Sequence, residues 1–79
     1  MLSELQTQDK TVGLKQSIKK IRSGEAKKVF IALDASPGLV EEIKTACKEN
    51  GTKIFEVSEM KELGRAAGID VGAAVVAVY

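Results

Sequence analysis

The sequence has no histidine and no tryptophan, one cysteine, one proline, two phenylalanines and one tyrosine. Without histidine it lacks the commonest general base and the commonest metal ligand. Catalysis is therefore poorly supported, and no cofactor or metal is expected. The lone Cys47 cannot close an internal disulfide, which points to a reducing cytoplasm. It lies on the apolar stripe of a helix, the place of a small buried hydrophobe. No stretch approaches the ~18 apolar residues of a membrane span. The polar, mixed-charge start from Met1 to Lys10 is unlike a signal peptide. No membrane partner is expected. Gly64 and Gly68 are followed by no Walker lysine, and no dinucleotide fingerprint follows a strand. Linkers, repeats and low-complexity segments are also missing.

What is present suits one small domain spanning 1–79. At 79 residues such a chain buries roughly 60% of its unfolded surface. A composition of 44% hydrophobic and 29% charged residues is that of a soluble globular protein. The net charge of +1 is uninformative, but its distribution is not. Residues 1–30 hold seven Lys/Arg against three Asp/Glu, whereas residues 31–79 hold five against eight. A basic half (+4) and an acidic half (−3) would steer anions to one side.

Met1 to Asp9, with Leu2 and Leu5 one turn apart, suits a short helix. Thr11 and Val12 suit a very short strand before Gly13. A helix then runs from Leu14 to Ser23, its apolar face formed by Leu14, Ile18 and Ile21. Gly24 ends it in the left-handed conformation. Lys28 to Leu33 is a strand covered on both faces. Ser36 caps the next helix, with Pro37 at its first position, and that helix runs to Glu49. Its inner stripe is Leu39 or Val40, Ile43, and Ala46 or Cys47. Lys53 to Val57 is a strand, and Ser58 caps a short helix to Ala67, with Met60, Leu63 and Ala67 inward. After a glycine-bracketed loop, 68–72, the chain ends in a strand from Ala73 to Val78. Alternating strands and helices predict an α/β sandwich with helices on both faces and at least two parallel, right-handed crossovers.

Three places invite a functional reading. The first helix opens with Lys15 and Gln16, where the partial positive charge of a helix start favours acidic residues. Lys15, Lys19 and Arg22 line one face. This is either a solvated basic face or a site for an anion such as phosphate. Asp34, between strand and helix, is more simply a turn residue bonding its own backbone than a functional carboxylate. Ile69 and Val71 flank Asp70 in the glycine-bracketed loop. They either tuck into the core or await a partner such as an unstacked RNA base.

These residues together resemble the ribosomal protein family that includes the archaeal L7Ae and L30e, and in particular its small bacterial members. The resemblance covers nearly the whole chain. It is carried by Gly13 with Lys15, Gln16 and Lys19; by Arg22-Ser23-Gly24; by Val29 to Leu33 leading to Asp34 and Pro37; and by Met60 to Gly64 leading into Gly68 to Val71. It implies a three-layer α/β/α sandwich with a four-stranded mixed sheet. It also implies binding of kink-turn RNA, a sharp bend with tandem sheared G·A pairs beside a three-nucleotide bulge. In the family pattern Gly13 and Lys19 are matched, while Lys15 and Gln16 replace Asn and Glu. By the resemblance, the RNA-binding residues are Gly13, Lys15, Gln16, Lys19, Lys61, Ile69, Asp70 and Val71. The implied partner is a structured RNA (ribosomal RNA, a riboswitch or a leader), with the ribosome as a further partner of a monomeric protein. The alternative is a ribosome-docking or protein–protein module without kink-turn specificity.

Overall fold

The run Val29-Phe30-Ile31-Ala32 is apolar on both sides of an extended chain, and its four residues are wholly buried. It forms most of β2, an inner strand of the sheet. A computed structural model describes residues 9–79. In order they form β1 (Lys10–Val12), α1 (Leu14–Arg22), β2 (Lys28–Ala32), α2 (Pro37–Asn50), β3 (Lys53–Val57), α3 (Met60–Ala66) and β4 (Val75–Val78). The helix expected over Met1 to Asp9 lies outside the described residues, except for Asp9, which is not helical.

The sheet order is β1-β4-β2-β3. β4 runs antiparallel to both neighbours, while β2 and β3 are parallel. β1, β2 and β3 therefore point the same way, and β4 is inserted against them. Both expected parallel crossovers exist, through α1 and α2. Both helices lie on one face and both steps move the same way across the sheet, so the two crossovers share one hand.

Side chains alternate along the inner strands and divide the core in two. Val29, Ile31, Val75 and Ala77 meet Ile18 and Ile21 of α1 and Ile43, Ala46 and Cys47 of α2. Phe30, Ala32, Val76 and Val78 meet Leu63 and Ala67 on the α3 side. The Phe30 ring stacks on Phe55 at 5.3 Å. Each large side chain so buried stabilises the fold by roughly 1.5–3 kcal/mol. The result is an α/β sandwich of three layers around a mixed sheet. No described helix is long and apolar enough to cross a membrane.

Local chemistry sets the ends of the elements. Ser36 Oγ accepts from Leu39 N, and Pro37 follows at the first helical position. α1 stops at Gly24, where φ is +80°. Past it, Glu25 accepts from Lys20 Nζ at 3.0 Å and from Ser23 Oγ at 3.1 Å. The Lys20 bond, helped by the Ser23 hydroxyl, holds the Glu25 carboxyl below its usual range. β2 ends one residue earlier than expected. Leu33 N still donates to Val57 O, but its side chain is 51% exposed as the chain turns toward α2. β4 begins at Val75 rather than Ala73, because Ala73 N is committed to Met60 O at 2.9 Å.

The cap of α3 departs from the expectation. Glu59, not Ser58, holds the N-cap position and makes no side-chain cap. Asp34 does that work from another loop, its Oδ1 accepting from Met60 N at 2.8 Å. Asp34→Ala is expected to cost about 1 kcal/mol, as for a lost helix cap, with Asp34→Asn keeping most of the stability. Urea unfolding measures both. An unchanged Asp34→Ala midpoint would show that the bond contributes nothing.

Candidate nucleic-acid interface

At one end of the sheet β1, β2 and β3 finish and β4 starts. The start of α1, the turn at Leu33 to Ser36, the start of α3 and the 68–74 loop converge there. Gly13 joins β1 to α1 with φ +104° and ψ 161°. That conformation is largely confined to glycine. Gly13 N donates to Val75 O at 3.0 Å, and Gly13 O accepts from Ser17 N at 3.1 Å. The helix start is thus pinned to the first residue of β4. Among the described residues no side chain caps it, and its first turn holds no acidic residue. Lys15, Gln16 and Lys19 are exposed there, with no ion-pair partner for either lysine among the described residues. Behind them Ser17 is fully buried, and its hydroxyl has no partner among the described residues.

The loop is laid on α3 by backbone bonds. Ile69 N donates to Gly64 O at 3.0 Å, and Ala73 N to Met60 O at 2.9 Å. The approach is close enough that a Cβ at Gly64 would collide with the Val71 carbonyl oxygen. At Gly72 a Cβ would stand 3.1 Å from Met60 Cβ. The two branched side chains take opposite roles. Ile69 is half-buried against the α3-side core, whereas Val71 is 70% exposed. Lys61, Arg65, Ile69, Asp70, Val71 and Gly72 line a groove of about 230 Å³.

Of the eight residues singled out in the sequence, Lys61, Ile69, Asp70 and Val71 share this groove, while Gly13, Lys15, Gln16 and Lys19 lie at the start of α1. The Gly13–Val75 bond puts both groups at the same end of the sheet, since Val75 follows the loop directly. Asp34 is exposed, and its described hydrogen bond goes not to its own turn but to the start of α3, which it caps. Cys47 is 1% exposed, and burial pushes its thiol up to about 11, which suits an inert core residue. Arg65 lines the groove although nothing in the sequence singled it out, and Gly64 and Gly72, marked there only as part of a motif and as a loop bracket, are points of close backbone approach. A glycine inside a helical pattern is the signal that backbone approaches closely there.

Comparison with known proteins agrees with this architecture. The family model described as "Ribosomal protein L7Ae/L30e/S12e/Gadd45 family" matches residues 2–79. An RNA-binding protein of Caldanaerobacter subterraneus subsp. tengcongensis is 48% identical over 68 residues, 86% of this chain and 83% of that protein. An RNA-binding protein of Bacillus pumilus is 40% identical over 73 residues, 92% of this chain and 89% of that protein. Among solved structures, the Giardia lamblia 15.5kD RNA binding protein superposes with a TM-score of 0.84 at 28% identity. That match covers 98% of this chain and 63% of the Giardia chain.

Proposed function

Since the chain belongs to the ribosomal protein L7Ae/L30e/S12e/Gadd45 family, we propose that it is a non-enzymatic RNA-binding protein that recognises kink-turn RNA and stabilises its bent form. One observation carries the reading. The cationic, uncapped start of α1 is bonded through Gly13 to the strand that leaves the Ile69–Val71 loop. A rigid tie between the two holds both against one folded RNA.

The start of α1 enters the groove at the G·A pairs. Lys15 and Lys19 donate to guanine O6 and N7 or to phosphate. The Gln16 side-chain carbonyl accepts from guanine N–H groups without the charge a carboxylate would bring. Val71, left in water by the fold, covers the bulged nucleotides, with Ile69 holding the loop from below. Lys61 meets the RNA backbone. Because the free RNA also samples extended states, binding the bent state more tightly shifts the population toward it.

The test is a titration of a kink-turn RNA against a copy whose G·A pairs are made Watson–Crick. Clear preference for the first is expected, and Lys19→Ala should weaken that complex by roughly 1–3 kcal/mol if the lysine contacts a base. Equal affinity for the two RNAs would leave only a general basic surface. Co-purification with ribosomes in that case would favour a docking module instead.

A further inference from the structure

Arg65 follows Lys61 by four residues on α3, so the two share one face of the helix, and both are exposed. Both line the groove formed with the 69–72 loop. Both also line an adjoining groove with Glu59 and Glu62. They therefore form the ridge between the two. Neither makes an ion pair with Glu59, Glu62 or Asp70 among the described residues. The loop wall adds donors. The N–H groups of Ile69 and Ala73 are spent on α3, but those of Asp70, Val71 and Gly72 between them donate to no described residue. A groove lined by two cations without an ion pair among the described residues, beside a loop whose N–H groups at residues 70–72 are unspent, suits an anion. A guanidinium fork matches two phosphate oxygens.

We propose that Arg65, together with Lys61 and the N–H groups of residues 70–72, holds a backbone phosphate of the bound RNA. The contact area then continues from the start of α1, across the loop and onto α3. This inference rests on the kink-turn reading above for the identity of the RNA, not for the chemistry of the site. The Asp70 carboxylate in the same groove leaves it a net charge of only +1. A free phosphate ion is therefore held weakly, and a phosphate delivered by an otherwise bound RNA is the better occupant.

The experiment compares the full chain with Arg65→Gln and Arg65→Lys. Kink-turn affinity is measured from about 50 to 200 mM salt. Arg65→Gln is expected to weaken binding roughly fivefold at the low end and to flatten the slope of log K against log salt by about 0.7–0.9, the loss of one phosphate contact. Preference for the kink-turn over its Watson–Crick copy should not change, because phosphate contacts carry no sequence information. Arg65→Lys should restore the slope but only part of the affinity. Unchanged affinity and slope in Arg65→Gln would overturn the inference and leave the kink-turn reading standing. A wild-type chain indifferent to the G·A pairs would remove that reading, while a flattened slope would still report the phosphate contact. Inorganic phosphate alone, followed by the amide signals of residues 70–72, is the last arm. Saturation at low millimolar phosphate, with RNA affinity insensitive to Arg65→Gln, would mean a free-phosphate site and overturn the inference too.

Discussion

Gly64→Ala is expected to destabilise the protein by about 3 kcal/mol, at the upper end of the usual cost of overpacking. For a domain of this size that lowers the melting temperature by roughly 12–24 °C. The reason is the identity of the opposing atom. The new methyl group would collide with the Val71 carbonyl oxygen and press on Gly72 Cα. Both belong to backbone, which cannot swing aside as a flexible side chain would. Relief requires lifting the loop from α3 and breaking the bonds at Ile69 N and Ala73 N. The damage should therefore appear first in the amide signals of residues 69–73. Gly38→Ala is the control, because a Cβ there meets nothing within 4 Å. It should be neutral or gain up to about 1 kcal/mol from helix propensity. Equal melting temperatures for Gly64→Ala and the wild type would show that the loop does not lie on the helix.

Gly13→Ala should cost about 1–3 kcal/mol in stability and, on the proposed function, more than tenfold in kink-turn affinity. The cause differs from that at Gly64. A Cβ at Gly13 meets nothing within 4 Å, so no contact is violated. The cost comes from φ +104° with ψ 161°, which alanine can escape only by rotating the backbone and pulling α1 away from Val75 O. Gly51 separates this effect from general weakening. It also has positive φ, +67°, but it lies before β3, at the other end of the sheet. Gly51→Ala should cost about 1–2 kcal/mol and leave RNA affinity unchanged under folding conditions. Urea unfolding and RNA titration of the two variants give the comparison. Full affinity in Gly13→Ala would mean that the start of α1 takes no part in recognition.

Which parts of the fold were legible depended on the range of the forces involved. The inner stripes of α1 and α2 follow from residue spacing alone, because a helix presents positions three and four apart together. The doubly buried β2 follows from its unbroken apolar run. Ser36, Pro37 and Gly24 act on their own neighbours, and each lies where local chemistry puts it. The cap of α3 was illegible for the opposite reason. Its acceptor, Asp34, is 26 residues away in sequence, and Ser58 was only the nearest residue of a suitable kind. The loop was legible as a loop, but not in detail. Ile69 and Val71 are alike in chemistry, and only the way the backbone lies across Gly64 puts one inside and the other in water.

The site divides in the same way. Periodicity and composition were enough to mark the basic start of α1, the glycine-bracketed loop and the absence of imidazole chemistry, since each is a property of a short run of residues. The sheet order decided the rest. Inserting β4 antiparallel between β1 and β2 brings Val75, and with it the loop, to Gly13 across more than sixty residues of chain. Closing that distance depends on long-range strand pairing, whose free energy is a sum over two buried faces and is written in no single stretch of sequence.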